Sequence, residues 1–352
     1  MNTTKKLDMM NQFPNNPDQQ VTLANWRTSP YNKWAFQHVR ELVPSANIQN
    51  NPSQVQNPSY KEFDFSAVKV ELDDQSPLTY DEFLEITDTD ALIVLKDGII
   101  IEERYFKGMT RNTPHILMSV SKSILGLLTG ILIDQKIFKA HDKACAILPE
   151  LTSTAYNEAT IRDLLDMRTG VNFIEDYLAT SGLMIDYRKA TNWNPLENSE
   201  APSDLRSFYH LLDKKNHPDG QRFNYVSPNS DLLGWIIERS TGERFSDLLS
   251  NLFWKPLGAI MPSYITVDRL GAPRVAGGLC TTAIDLALVG QLFLDNGFTN
   301  GQQILPRNWL QDIQKNGSRD AWLEGNFVEY FPNMDMHYRS KWYVDHGSND
   351  SK

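Results

Sequence analysis

The chain has little cysteine, no long apolar run and no signal-like start. Its two cysteines, Cys145 and Cys280, are too few for the disulfide framework of a small secreted protein. We interpret them as buried apolar residues of a reducing compartment, and a single bridge between them stays open. The longest apolar stretch, 124–133, is broken by two glycines and a threonine and is far shorter than the roughly 18 residues of a membrane span. Residues 7–20 are polar and Asn-rich, unlike a signal peptide, so we expect a cytoplasmic protein with no membrane partner.

Basic residues are also in the minority, and no metal-binding pattern is present. The 34 Lys and Arg residues face 44 Asp and Glu residues, which gives a formal net charge of −10 and a pI near 5.2. Because phosphate binding needs a clustered basic face, nucleic acid is not expected as a partner. The seven histidines lack an HExxH or paired spacing, so we predict no metal and no cofactor. Gly277-Gly278 lacks the context of a phosphate loop and instead predicts a close backbone approach.

The composition is that of a globular protein, because 41% of the 352 residues are hydrophobic. This length predicts about two domains. Residues 1–60 are rich in Asn, Gln and Pro, which favours an extended or irregular segment. Within that segment, 34–43 carries apolar residues near helical spacing and is expected to dock on the main body.

The first regular elements are a helix and a hairpin. Thr79 with Glu82 three residues later forms a capping-box pattern that predicts a helix over 79–85. Two apolar runs joined by Asp97-Gly98 predict a hairpin. The remaining expected elements are hairpin strands 91–95 and 99–106, helices 119–135, 161–167 and 230–239, and a strand 340–344.

The sharpest chemical signal is Ser119-Val120-Ser121-Lys122. Apolar residues almost encircle the helix that follows, which predicts that the helix is buried. A serine at a helix start can have a developing negative charge stabilised by free N–H groups, and a lysine three residues later lies on the same face. A buried lysine amine gives up its proton readily and can take the proton of the serine. The competing reading is an N-cap serine with a solvated lysine. Ser66 and Lys69 have the same spacing, but no apolar helix follows them.

A second candidate is Tyr225-Val226-Ser227, which lies between a Pro-Asp-Gly turn and a predicted helix. A tyrosine there could relay a proton between lysine, serine and leaving group. The alternative is a packed aromatic residue whose hydroxyl bonds to backbone. Tyr338-Arg339-Ser340 has the same short pattern but lacks the turn and the helix.

Together these motifs resemble the serine β-lactamase and penicillin-binding-protein superfamily, in its class-C-like branch of esterases and 6-aminohexanoate-dimer hydrolases. The similarity runs from Trp26 to the carboxyl end. It includes, in order, WRTSPYNKWAFQHVRELVP, LIVLKDGIIIEERYF, LLDMRTGVNFIEDY, RFNYVSPNSDLLGWIIERSTGERF and VAGGLCTTAIDLA.

The resemblance implies an α+β fold, a β-lactamase-like α/β sandwich with an antiparallel sheet and a helical insertion. The expected organisation is an extended segment 1–60, an α/β lobe formed by 61–118 and 271–352, and a mainly helical lobe 119–270 that carries the nucleophile. A homodimer is left open.

The resemblance also implies an acyl-enzyme mechanism on a small-molecule amide or ester. Ser119 would be the nucleophile, Lys122 its general base and Tyr225 the proton partner. Tyr177, in a Glu-Asp-Tyr context, would lie near the substrate amide, and Ser227 is the other predicted substrate-binding residue. The alternative for Tyr177 is an ordinary loop aromatic.

One family motif has no clear counterpart. The superfamily carries a third motif on a strand near the carboxyl end, which supplies a second oxyanion donor, and the loss of such a donor costs about 10² to 10³ in rate. His346-Gly347-Ser348 is similar to it only in part and is expected to lie in the turn after 342–344. We therefore expect the later strands to be missing. Two alternatives stay open: a β-lactamase or penicillin-binding activity, and a truncated, catalytically impaired relative.

Overall fold

The computed structural model describes residues 9–72 and 76–347. Its largest sheet has four antiparallel strands in the spatial order β1, β7, β8, β6. The described strands are β1 (Ser45–Ile48), β2 (Lys69–Val70), β3 (Leu78–Thr79), β4 (Ala91–Lys96), β5 (Ile99–Tyr105), β6 (His115–Ile116), β7 (Ser263–Thr266), β8 (Leu279–Thr281), β9 (Phe298–Thr299), β10 (Gln302–Gln303), β11 (Met336–Arg339) and β12 (Trp342–Asp345).

Helices lie mainly between β6 and β7 and again after β8. The described α-helices are α1 (Asn32–Ala35), α2 (Tyr80–Ile86), α3 (Val120–Asp134), α4 (Ala144–Ile147), α5 (Ile161–Leu165), α6 (Leu183–Ala190), α7 (Leu205–Phe208), α8 (Pro228–Thr241), α9 (Phe245–Leu249), α10 (Lys255–Leu257), α11 (Ala283–Leu294), α12 (Arg307–Lys315) and α13 (Arg319–Leu323). Ser250–Trp254 forms a π-helical turn between α9 and α10.

Local signals placed several of these elements correctly. Thr79 and Glu82 form both bonds of the predicted capping box at the start of α2. The hairpin of β4 and β5 turns at Asp97 and Gly98, which both have positive φ. Helix α8 ends at Gly242 with φ 72°, as its glycine predicts.

The long helix α3 runs through the main core because its faces are apolar almost all round. Its glycines permit close contacts with later parts of the chain. A Cβ on Gly126 would lie 2.1 Å from the carbonyl oxygen of Ser340, and one on Gly130 would lie 2.4 Å from the Trp309 ring. The Trp309 indole N–H donates to the Gly126 carbonyl at 3.1 Å. These contacts fix the helix that begins just after Ser119.

The amino-terminal segment docks on the main body, as predicted for 34–43. Ala35, Val39 and Val43 are buried beside Trp26. The Trp26 indole N–H donates to the Trp193 carbonyl at 3.1 Å. The segment is not wholly irregular, however, because β1 joins the largest sheet by pairing with β7. Strand β7 itself lies within the stretch 119–270 that the sequence assigns to a helical lobe.

The prediction of a strand over 340–344 is wrong at its start, because β12 begins at Trp342. Strand β11, which precedes it, was not predicted. Strands β11 and β12 form a hairpin whose turn consists of Ser340 (φ 49°) and Lys341 (φ 72°). Neither residue is a usual turn former with positive φ. Tertiary bonds stabilise the turn: Ser340 N–H donates to Asp166 at 2.9 Å and Lys341 N–H to the Leu165 carbonyl at 3.1 Å. His346 and Gly347 follow β12, whereas Ser348 lies outside the described residues.

The cysteines are separate free thiols, so the bridge left open by the sequence is not formed. Cys280 is buried, and its burial raises the pKa of the thiol to about 12. Cys145 is only half-buried, contrary to expectation, and donates to the Asn157 carbonyl at 2.8 Å. Within 9–72 and 76–347, no helix is long and apolar enough to cross a membrane. No group of three or more His, Cys, Asp or Glu side chains suited to a metal occurs in the same residues.

Candidate active site

Ser119 lies at the junction between β6 and α3, with an unusual backbone just before it. Met118 has φ 45°, in the left-handed region that non-glycine residues rarely adopt. Such strain is often found at functional sites. Ser119 precedes the first turn of α3, but its side chain forms no capping hydrogen bond. The residue is exposed, so its hydroxyl is open to a substrate.

Lys122 is buried beside that hydroxyl. Only 2% of the residue is exposed, and its Nζ lies 3.0 Å from Ser119 Oγ and 2.6 Å from the Ala276 carbonyl oxygen. These contacts exclude the reading of a capping serine with a solvated lysine. In the competing motif Lys69 is exposed, as the sequence predicted.

Tyr225 is brought to the same lysine. The Lys122 Nζ lies 5.1 Å from the centroid of the Tyr225 ring, and Tyr225 is 3% exposed. A loop near the carboxyl end also contacts this tyrosine. Tyr225 stacks on Phe327 at 4.6 Å between ring centroids, and its backbone N–H donates to Asn326 Oδ1 at 2.9 Å. Tyr225 therefore contacts both Lys122 and the loop that carries Asn326 and Phe327.

Glu175, which the sequence analysis missed, connects the two predicted substrate-binding residues. Ser227 is buried, and both its backbone N–H (2.7 Å) and its hydroxyl (2.5 Å) donate to the Glu175 carboxylate. Tyr177 is 57% exposed. Desolvation, the Glu175 carboxylate and Tyr225 raise the pKa of the Tyr177 hydroxyl. Glu175, Tyr177 and Tyr225 thus lie close together, and Tyr225 joins this group to Lys122.

A buried ion pair behind Lys122 was also missed. Asp231 on α8 pairs with Arg274, and both residues are almost fully buried. Asp231 Oδ1 also accepts from the Ala276 N–H at 2.8 Å. The one available signal was a charged residue directly before the run 232–237 of α8, which contains no polar side chain.

The loop that carries Ala276 approaches its neighbours closely, which confirms the expectation for Gly277-Gly278. A Cβ on Gly278 would lie 2.1 Å from Thr266 Oγ1, and one on Gly277 would lie 3.2 Å from Trp193. At Gly278 even a methyl group would clash, whereas at Gly277 the Trp193 ring would have to shift by a few tenths of an ångström.

A second buried lysine, Lys341, packs against helix α3. Its Nζ donates to the Leu164 carbonyl at 2.6 Å, while its own carbonyl accepts from the Ser123 hydroxyl at 3.1 Å. Burial, followed by the nearby Lys122, holds the pKa of Lys341 well below its usual range. No sequence pattern pointed to this residue.

A serine with a buried lysine one helical turn later, and a buried tyrosine against that lysine, is the arrangement that the family resemblance implied. A model of the beta-lactamase family matches residues 84–333, most of the chain. The chain belongs to the beta-lactamase family.

Two individual proteins are similar to this chain over most of its length. The 6-aminohexanoate-dimer hydrolase of Paenarthrobacter ureafaciens is 31% identical over 332 residues, covering 94% of this chain and 81% of the relative. A solved structure described as a candidate 6-aminohexanoate-dimer hydrolase of Bacillus anthracis has a TM-score of 0.83 at 26% identity, covering 93% of this chain and 84% of that one.

A more distant match shows the fold alone. The octameric penicillin-binding protein homologue of Pyrococcus abyssi has a TM-score of 0.56 at 14% identity, covering 75% of this chain and 63% of that one. The predicted α+β, beta-lactamase-like fold is confirmed. The protein is a hydrolase of this family related to 6-aminohexanoate-dimer hydrolases.

Proposed function

We propose that the protein is a cytoplasmic serine hydrolase that cleaves a small amide or ester through an acyl-enzyme on Ser119. The observation that supports this most is the 3.0 Å distance between Ser119 Oγ and the Nζ of a lysine that is 2% exposed. A buried amine next to an exposed hydroxyl can act as its general base. The free thiols of Cys145 and Cys280 support a reducing location.

In the proposed reaction, Ser119 Oγ attacks the substrate carbonyl while its proton passes to Lys122 Nζ. The carbonyl electron pair moves onto oxygen, where the Ser119 N–H and the start of α3 stabilise the negative charge. When the intermediate collapses, the bond to the leaving group breaks. The leaving amine or alcohol takes the proton from Lys122 through the Tyr225 hydroxyl. Water then attacks the acyl carbonyl while its proton passes to Lys122 Nζ. The bond between the acyl carbon and Ser119 Oγ breaks, Oγ takes the proton back from Lys122, and the carboxylic acid leaves.

Substrate recognition is proposed at Tyr177 and Ser227. Tyr177 is exposed next to the catalytic group and could donate to a substrate amide oxygen, while Ser227 positions Glu175 beside it. The name of the Paenarthrobacter relative suggests linear 6-aminohexanoate oligomers as first substrates to test, with short carboxylic esters as the second class. A homodimer stays an open alternative to a monomer, and the molar mass of the protein in solution distinguishes the two.

Labelling with a fluorophosphonate probe tests the nucleophile. The unmodified protein and Ser66→Ala, the competing motif, should be labelled at the same rate, whereas Ser119→Ala should not be labelled. Persistent labelling of a folded Ser119→Ala variant would exclude the assignment. No labelling of the unmodified protein would instead favour a catalytically impaired relative.

Substrate assays then separate the activities. We expect turnover of p-nitrophenyl butyrate or of the 6-aminohexanoate dimer, and little turnover of a chromogenic cephalosporin. Efficient cephalosporin hydrolysis together with inactivity on the ester and the dimer would replace the amidase proposal by a β-lactamase.

A further inference from the structure

The buried Asp231 is connected to Lys122 through a single residue of the loop after Arg274. We propose that Asp231 is a positioning residue that orients the Lys122 amine toward Ser119 by holding Ala276. This inference rests on the proposed function of Ser119 and Lys122. Among the described residues Asp231 is not hydrogen-bonded to Ser119, and it is not assigned a proton transfer.

Two hydrogen bonds form the connection. Asp231 Oδ1 accepts from the Ala276 N–H at 2.8 Å, and the Ala276 carbonyl accepts from Lys122 Nζ at 2.6 Å. All three residues are at most 2% exposed. Because water cannot compete for buried donors and acceptors, such bonds hold their direction.

The loop has little freedom to present its carbonyl differently. Its backbone turns tightly, with the N–H groups of Gly277 and Gly278 donating to the Arg274 carbonyl at 3.2 and 2.7 Å. The Arg274 guanidinium pairs with the same Asp231 carboxylate. Asp231 therefore binds both the start of the turn and its middle. The Ala276 carbonyl is fixed relative to α8, which begins directly after the Tyr225 motif.

The direction of that carbonyl matters for the chemistry of the amine. A lysine ammonium has three N–H donors and no acceptor. The neutral amine, the form that the proposed general base requires, has two N–H donors and one lone pair. When one N–H is committed to the Ala276 carbonyl, rotation about the last carbon–nitrogen bond is restricted and the lone pair can face the Ser119 hydroxyl proton. After proton transfer the ammonium keeps its bond to Ala276 and can bond to the Ser119 oxygen. A small misplacement of a catalytic group can cost about 10² in rate.

Other charged and titratable groups also face Lys122. The Tyr225 ring lies against its amine, and Lys341 is close enough to interact through charge. Glu175 accepts from the Ser227 N–H at 2.7 Å and acts on Arg274 through its charge. The test must therefore separate the position of the Ala276 carbonyl from a general change of charge near Lys122.

A pair of double variants makes that separation. Asp231→Asn with Arg274→Met keeps an oxygen that can accept from Ala276, removes both charges and leaves no buried ion unpaired. Asp231→Ala with Arg274→Met removes the acceptor as well. Because the charges are equally absent from both, a difference between the two variants does not come from charge, and the exchange of the Ala276 amide shows whether it comes from the lost acceptor.

Fluorophosphonate labelling rates across pH are the first readout. We expect the labelling rate of the Asn double variant to stay within about tenfold of the rate of the unmodified protein. The labelling rate of the Ala double variant should be about 10²-fold lower at every pH. Asp285→Asn is the matched control, because Asp285 is also buried and accepts backbone N–H groups of Ile260 (2.6 Å) and Met261 (3.2 Å) without reaching Lys122. Equal rates for the two folded double variants would overturn the proposal.

Hydrogen exchange of the Ala276 amide is the second readout and requires no activity. The amide should be protected in the unmodified protein and in the Asn double variant, and should exchange at least about tenfold faster in the Ala double variant. Equal protection in the two double variants would refute the anchoring even if no variant is labelled. If the unmodified protein is not labelled at Ser119, the function proposal fails while this test still stands. Should the Ala double variant not fold, a loss of more than about 10² in a folded Asn double variant would overturn the positioning role.

Discussion

Lys341 should make the stability of this protein depend steeply on pH. Its amine is buried and donates to the Leu164 carbonyl. Burial and the nearby Lys122 hold its pKa well below the usual range in the folded protein. In the unfolded chain the same amine has the ordinary pKa of about 10.4. Between these two pKa values the unfolded chain binds one more proton than the folded protein, so the free energy of unfolding rises with pH.

The size of that effect follows from the one proton. It contributes about 1.4 kcal/mol to the free energy of unfolding for each pH unit within this interval. Lys341→Met removes the amine that binds this proton in the unfolded chain. The free energy of unfolding of the variant should therefore rise with pH less steeply than that of the unmodified protein, by about 1.4 kcal/mol per pH unit. The Leu164 carbonyl also loses its donor, at a cost of about 1 to 3 kcal/mol. That cost does not depend on pH and leaves the difference in slope unchanged.

Urea unfolding followed by circular dichroism, at several values from about pH 8 to about pH 9, measures the slope. Lys69→Met, at an exposed lysine, is the control and should keep the slope of the unmodified protein. Equal slopes for Lys341→Met and the unmodified protein would mean that the Lys341 amine is charged in the folded state, contrary to this prediction.

Two further substitutions test the loop and the tyrosine beside Lys122. Gly278→Ala should lower the free energy of unfolding by about 1 to 3 kcal/mol in urea titration, because its Cβ would lie 2.1 Å from Thr266 Oγ1. Gly290→Ala, in helix α11 with no atom within 4 Å, should be neutral or stabilising, and equal losses at both positions would contradict the steric argument. Tyr225→Phe should keep the ring against Lys122 but lower ester turnover by about 10². Unchanged turnover would remove the hydroxyl from the proton path.

The parts of the fold that sequence could predict depend on short-range signals. The start of α2 follows from Thr79 and Glu82, and the end of α8 from Gly242. Ser119 and Lys122 could be predicted as neighbours because side chains three residues apart on a helix lie on the same face, independently of the tertiary structure. Burial of α3 followed from its apolar surface.

The parts that sequence could not predict depend on contacts between distant segments. Strand β1 was assigned to an irregular segment because its pairing with β7 is not encoded locally. The turn of Ser340 and Lys341 has no turn-forming residue and depends on bonds to Asp166 and Leu165. Asp231 is recognisable as a functional candidate only once its distance from Ala276 is known.

The position of a covalent adduct shows directly whether Ser119 is the nucleophile. After reaction with a fluorophosphonate, the protein is digested and the modified peptide is sequenced by tandem mass spectrometry. We predict one adduct, on Ser119, and its loss when Lys122 is replaced by Met. An adduct on another serine, or undiminished labelling of Ser119 in folded Lys122→Met, would contradict the claim that Ser119 and Lys122 form the catalytic pair.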